Sequence, residues 1–329
     1  MECRLPRGCG NPGLKLANAF SVSLEELFMK LATFNVCWLG NERFAKMTSL
    51  RDRDQDDWLS LGHVISRLDA DIIVFQEIVN FAELQEILTL VQGISSRKYQ
   101  IRDQQNQILS IGNSNEQKIV IAFDEQQYKL LAASPIFGCE GRRPYGVRVR
   151  SVTDGGQILI VGVHLKSGQP FFDDKSSAAK RTLQCQHLAD WIAGKHSEAN
   201  PVFPQPAADK WVAIIGDFNA ICELEPDQPR EWQVVVDSLD PLRAVHLKEW
   251  WWEKPLADPL GGDRTTAYLD HLLIDHVMLS PALKPRITQK PTIYAFDQDP
   301  AIISQSANGV DIRISDHRPV HLELDLSRS

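Results

Sequence analysis

The chain lacks the marks of several protein classes. No apolar run approaches the roughly 18 residues that a membrane helix needs, so no membrane span is expected. Six cysteines are present (Cys3, Cys9, Cys37, Cys139, Cys185 and Cys222), with no Cys-x-x-Cys pair. Their scattered spacing gives neither a zinc ribbon nor a disulfide framework, so a reducing, cytoplasmic setting is expected. No apolar stretch of signal-peptide length stands at the start. A basic excess is also missing: 35 Lys+Arg face 43 Asp+Glu, a formal net charge of -8. That argues against tight, sequence-independent binding of long duplexes, which needs a basic surface. It leaves room for a nuclease, because a site that collects cations needs local acidity. Internal repeats and low-complexity blocks are absent, and no protein partner is implied.

What is present is ordinary for a folded chain: 329 residues, 43% hydrophobic and 24% charged. Residues 1–28 differ from the rest, with no periodicity long enough to bury a face and equal numbers of acidic and basic residues. They are expected to be an N-terminal extension, and residues 29–329 a single catalytic domain. Apolar residues at Trp58, Leu61, Ile65 and Leu68 predict a helix over 56–68, and Leu84, Ile87, Leu88 and Val91 predict one over 81–91. A third, amphipathic, is predicted over 176–192, with Ala179, Leu183, Leu188 and Ile192 among its apolar positions. Strands are predicted at 31–36, 71–75, 118–123, 145–152, 157–163, 211–215, 272–279 and 320–324. The Asp154-Gly155-Gly156 turn makes a hairpin of two of them, so the sheet structure is at least partly antiparallel. The alternation of types predicts one mixed α/β domain.

Polar residues recur where these strands end. Asn35 ends the first, Glu77 the second; His164 follows Val163; Asp217 and Asn219 follow Gly216; Asp316 and His317 precede the last. Ligands of α/β folds gather at strand ends. Asn, Glu and Asp with one or two histidines form an oxygen-rich set that suits Mg²⁺ or Mn²⁺. Singly, each residue is more often a turn former, a cap or a buried core group than a functional one. The combination carries the inference.

Six words occur in order: Thr33-Phe34-Asn35-Val36, Val74-Phe75-Gln76-Glu77-Ile78, Val163-His164-Leu165-Lys166-Ser167-Gly168, Ile215-Gly216-Asp217-Phe218-Asn219-Ala220, Ile274-Asp275-His276-Val277-Met278-Leu279-Ser280 and Ile314-Ser315-Asp316-His317-Arg318-Pro319-Val320. Together they resemble the endonuclease/exonuclease/phosphatase superfamily, which includes deoxyribonuclease I and exonuclease III. The resemblance implies an α/β (α+β) four-layer α/β/β/α sandwich, two mixed sheets face to face with helices outside. It implies a divalent-metal-dependent phosphodiesterase, with nucleic acid or a small phosphodiester as substrate and Mg²⁺ (or Mn²⁺) as cofactor.

The resemblance also assigns roles. Glu77 becomes the principal metal ligand, with Asn35 and Asp316 nearby. Asp217 orients or deprotonates water, and Asn219 holds a phosphate oxygen. His317 contacts the phosphate or moves a proton, oriented by Asp275, and His164 is the candidate general acid. Asp270-His271 repeats the Asp275-His276 pair five residues earlier. The odd offset puts the copies on opposite strand faces, and Asp275 fits the family word better. His164 stands where the abasic-site endonucleases carry tyrosine, which points to the deoxyribonuclease-like, phosphatase and general-nuclease branches. Arg142 or Arg143 resembles a phosphate-contacting segment, though a solvated pair is equally expected, and Lys166 lies in the His-Leu-Lys-Ser word. Trp250-Trp251-Trp252 is read as loop packing ahead of base stacking. Two alternatives stay open: an enzyme acting on small phosphorylated molecules or phospholipid head groups, and an inactive binding protein on the same scaffold.

Overall fold

The computed structural model describes residues 28–48, 50–112, 117–136, 143–166, 175–192, 211–220, 255–257, 259, 265–267, 272–303 and 314–326. All but Phe28 of the expected extension lies outside these.

Two mixed sheets form the body. The larger begins with β1 (Phe28–Leu39), which runs parallel to β2 (Ile72–Ile78). On the far side of β2 lie β5 (Lys118–Asp124) and the short β3 (Tyr99–Gln100) and β4 (Ser110–Ile111). On the other side of β1 come β13 (Val320–Asp325), β12 (Ile287–Ile293) and β10 (Leu256–Ala257). The smaller sheet runs β11 (Asp275–Leu279), β9 (Val212–Asp217), β8 (Gln157–His164), β7 (Tyr145–Ser151) and β6 (Tyr128–Pro135), with β8 and β9 parallel. The expected hairpin joins β7 to β8, with Gly155 at φ 76 in its turn.

Alternation along the strands sorts the core. Met29 and Leu31 of β1, and Ile72 and Val74 of β2, pack in one cluster with Val147, Ile160 and Ile215 of the smaller sheet. The intervening Ala32, Phe34, Ile73 and Phe75 pack with the helices instead. Gly162 lets the sheets close: a Cβ there would lie 2.8 Å from Val74 Cγ1 and 2.9 Å from Ile119 Cγ2.

Helices α2 (Gln55–Leu68) and α3 (Phe81–Ile94) cover the outer face of the larger sheet through Leu61, Val64, Ile65, Leu84, Ile87 and Val91. Helix α2 starts at a capping box, Asp54 with Asp57, and stops at Asp69 in the left-handed conformation. Helix α3 is capped by Asn80, so Glu77 is not used as a cap. A shorter helix, α1 (Asn41–Thr48), follows β1. Helix α4 (Lys175–Ile192) lies with the smaller sheet, and its Cys185, Leu188, Ala189 and Trp191 share a cluster with Val161, Val163 and Ile214. The result is the expected helix–sheet–sheet–helix sandwich. No helix among the described residues is long and apolar enough to cross a membrane.

One expectation is corrected, and some elements were not foreseen. The buried face of α4 is Ser177, Arg181, Gln184, Cys185 and Leu188, whereas Ala179 is exposed and Leu183 is 44% exposed. Two of the polar members serve the chain just past β8: Gln184 accepts from the Lys166 amide, and Arg181 donates to the Lys166 carbonyl. Strands β6 and β12 were not among the expected ones; β12 carries Pro291, a residue that strands seldom hold. The ladder to β13 shifts register between Gln289 and Thr292, which accommodates the proline.

Candidate active site

The parallel pairs β1–β2 and β8–β9 end on the same side of the sandwich, and the polar residues predicted from the sequence meet there. Asn35 occupies an inward position of β1. His164 and Asp217 are register partners at the ends of β8 and β9. Asp275 pairs with Asp217 across the β9–β11 ladder, so both point to the same face. Asp316 and His317 lie just before β13, with His317 bridged to Ala267.

Glu77 reaches this group by an irregular backbone. Plain alternation would put it on the helix side, with Ile73 and Phe75. Its φ is +62, and the pairing on both flanks of β2 shifts around it. Cys37 and Trp38 of the neighbouring β1 are also left-handed, at φ 46 and 53. The Trp38 amide donates to Glu77 Oε2 at 3.1 Å, while Glu77 Oε1 lies 3.7 Å from His164 Nε2 in the other sheet. Three left-handed residues on two neighbouring strands mark a place where the surrounding fold holds a conformation the chain disfavours.

The opposite wall is built as tightly. Gly216 at φ 149 leaves no room for a side chain, since a Cβ would sit 2.1 Å from the Val163 carbonyl oxygen. Asp217 Oδ1 accepts from the Asn219 amide at 2.7 Å, with Asn219 itself left-handed at φ 49. Asp217 Oδ2 accepts from Asn35 Nδ2 at 3.2 Å and lies 3.4 Å from His164 Nε2. Asn219 Nδ2 donates to the Leu165 carbonyl.

His317 Nδ1 and Asp275 Oδ2 are 2.8 Å apart, both buried. Burial opposes protonation of His317, but Asp275, with Asp316 and Asp217 beyond it, outweighs burial and raises the imidazole well above its usual range. Asp275 is set by Thr266, whose hydroxyl accepts from the Ile274 and Asp275 amides. Ser315 Oγ donates to the Asn35 carbonyl and accepts from the His317 amide, joining β1 to the loop before β13. Thr266 and Ser315 were not singled out beforehand. Ser315 lies inside a recognised word, but Thr266 carries no motif.

His276 turns away from the site. Burial pushes its pKa down to about 3, and its Nε2 meets the Ala220 carbonyl, so it is a neutral core group. Lys166 and Arg143 are exposed. Arg142, Asp270, His271 and the three consecutive tryptophans lie outside the described residues.

No set of three or more His, Cys, Asp or Glu among the described residues forms a metal cage by itself. The donors present nonetheless fit a hard cation. Mg²⁺ commonly takes one or two carboxylates and keeps water or substrate oxygens for the rest. Glu77, partly exposed and already oriented by the Trp38 amide, and Asp316 at the rim supply such carboxylates.

Neither a protein-family model nor a curated protein sequence matches the chain. Solved structures do, and the fold is that of endonuclease/exonuclease/phosphatase proteins. One such protein from Bacteroides thetaiotaomicron superposes with a TM-score of 0.55 at 12% identity, over 90% of this chain and 97% of that one. A mannosyl-6-phosphatase of Bacteroides thetaiotaomicron gives 0.55 at 15% identity, over 90% and 99%. D. rerio TDP2 complexed with a single strand DNA product gives 0.53 at 14% identity, over 90% and 98%. The resemblance read from the six words is thus met at the level of the fold.

Proposed function

We propose that this chain is a divalent-metal-dependent phosphoesterase, and that its substrate is a phosphodiester of nucleic acid. The observation that carries the reading is the meeting of Asn35, Glu77, His164, Asp217, Asp275 and His317 at one end of the inter-sheet seam. Two turn formers and a buried histidine do not need to converge; a phosphoryl-transfer site does. Hydrolysis needs stabilised charge on the phosphoryl oxygens, an in-line water and a proton for the leaving oxygen.

Glu77 with Asn35 and Asp316 would hold the cation, which neutralises charge on the phosphoryl oxygens. Asp217, oriented by Asn35 and the Asn219 amide, takes up the proton of the attacking water. Asn219 steadies a phosphoryl oxygen. His317, kept protonated by Asp275, donates from Nε2 to another. His164 delivers the leaving-group proton. Lys166 and one of Arg142 or Arg143 would meet flanking phosphates.

A second reading, hydrolysis of a small phosphorylated molecule, is favoured by the net charge of -8 and by the mannosyl-6-phosphatase among the structures of like fold. Plasmid nicking with Mg²⁺, run beside a simple phosphodiester and a phosphomonoester, separates the two. Nicking is expected. Turnover of the monoester alone would replace the nuclease reading, and no turnover of any substrate would remove both.

A further inference from the structure

The amides of the irregular backbone beside Glu77 are met by Asn35 and Glu77, and one further side chain meets its carbonyls. Arg53, in the connection between α1 and α2, is 3% exposed. Its Nη2 donates to the carbonyls of Val36 at 3.0 Å and Cys37 at 2.9 Å, and Nη1 reaches that of Trp38 at 3.4 Å. Nη2 also lies 3.4 Å from the Ile314 carbonyl, next to Ser315-Asp316-His317. The guanidinium stacks over the Phe44 ring at 3.9 Å, which fixes its plane. It therefore gathers the carbonyls of the left-handed β1 segment and ties that segment to the loop carrying Asp316 and His317.

A buried guanidinium is costly to desolvate, and hydrophobic packing would fill the same space at lower cost. Its two Nη groups instead meet backbone oxygens, three of them in the irregular stretch of β1. The Val36–Trp38 segment opposes Glu77 alone between the pairs Asn35–Gln76 and Leu39–Ile78, so those carbonyls lack ordinary ladder positions. The reward is the Trp38 amide aimed at Glu77 Oε2.

We infer that Arg53 is a positioning residue for the cation site: it holds Cys37 and Trp38 left-handed and so presents the Glu77 carboxylate, together with Asp316, to a hard divalent cation. The inference rests on the proposed function only in taking Glu77 as a cation ligand. Arg53 itself touches neither cation nor substrate.

The test measures Mn²⁺ binding to the full chain by electron paramagnetic resonance, with no substrate present, for wild type, Glu77→Gln, Arg53→Met, Arg53→Lys and Arg53→Met combined with Cys37→Gly. Arg53→Met should weaken Mn²⁺ binding by about 10-fold, the lower end for groups that orient metal ligands. Arg53→Lys keeps the buried charge but reaches fewer carbonyls, and should fall between the two. It keeps the test open if the Met variant does not fold. Glycine takes up positive φ without penalty, so Cys37→Gly should recover a good part of the loss in the Met variant. In turnover, the effect should appear as a higher Mg²⁺ requirement more than as a lower rate at saturating Mg²⁺. Wild-type affinity in both Arg53 variants, beside a weakened Glu77→Gln, overturns the role of Arg53 and leaves the site assignment standing. Unchanged affinity in Glu77→Gln, or no binding by wild type, overturns both. A loss that Cys37→Gly does not relieve overturns the backbone mechanism.

Discussion

The Asn35 side-chain amide donates to Asp217 Oδ2 at 3.2 Å, tying the last inward position of β1 to the last residue of β9 across the seam between the sheets. Asn35 is held in turn: its Oδ1 accepts from the Cys37 amide at 3.1 Å, and its carbonyl accepts from Ser315. Asp217 thus has both oxygens occupied by donors from fixed backbone or from the opposite sheet. A carboxylate that must meet a water in line benefits from such restraint.

Asn35→Ala removes the link without adding bulk. The rate should fall by about 10²-fold, as expected for a reacting group displaced on the order of 1 Å. Stability should fall by about 1–3 kcal/mol, because a buried Asp217 oxygen loses its donor. Steady-state kinetics beside urea unfolding separates the two effects. An unchanged rate in the folded variant would show that Asp217 needs no orienting.

Much of this was legible from the sequence, and the exceptions have physical causes. The runs at Ile72–Ile78 and Gln157–His164 declare themselves because strands covered on both faces are continuously apolar. The site words mark where those strands stop. What alternation alone could not give is the direction of Glu77, since its inward turn depends on a left-handed backbone that neighbouring elements impose. Arg53 was invisible for a related reason: it acts on backbone oxygens, which leave no pattern in side-chain chemistry. The α4 face departs from its apolar pattern because Arg181 and Gln184 are turned inward to serve the backbone at Lys166, against the usual sorting of polar residues.

Cation removal tests the central chemistry. Hydrolysis should stop in EDTA and return with Mg²⁺ or Mn²⁺. Glu77→Gln should raise the Mg²⁺ concentration for half-maximal rate by at least about tenfold, since a neutral amide is a poorer partner for a hard cation. Full turnover in EDTA would end the metal-dependent reading.

His164→Ala should discriminate between leaving groups. For an alkoxide leaving group the loss should be about 10²–10⁴-fold, the usual worth of a positioned acid. A nitrophenolate needs little protonation, so its loss should be far smaller. His317→Ala should impair both substrates alike, because its proposed contact is with the phosphoryl group. Equal losses for both substrates in His164→Ala would remove the general-acid role.

Gly216→Ala tests how the Asp217 wall is built. A Cβ at 2.1 Å from the Val163 oxygen cannot be relieved by a side-chain rotation, because the neighbour is backbone. The strand pair β8–β9 would have to part next to His164 and Asp217. A loss above about 3 kcal/mol is expected in urea unfolding, the range of severe backbone strain. A variant within about 1 kcal/mol of wild type would mean that the β8–β9 pairing yields there at little cost.

The far end of the larger sheet supplies a pH test that does not involve the site. Asp71 at the start of β2 is 3% exposed, and burial pushes its pKa up from 3.8 to about 6 despite its ion pair with Arg97. Arg97 is shared: it also meets Asp69 at 2.9 Å and Asp124 at 3.3 Å, while Lys30 pairs with Asp69 and gives its amide to Asp71. Three carboxylates thus face two cations, with the Tyr99 hydroxyl turned away to the Ala70 carbonyl. The sign follows from linkage. A folded pKa above the unfolded one means that the native state holds the proton more tightly. Asp71 therefore favours the native state most below about pH 4, and that contribution is lost as pH rises through about 6. Asp71→Asn has no such dependence. The stability of wild type minus that of Asp71→Asn should fall by about 2 kcal/mol between pH 4 and pH 7, measured by urea unfolding at each pH. A difference that instead rises with pH would show that Arg97 outweighs burial and holds Asp71 ionised.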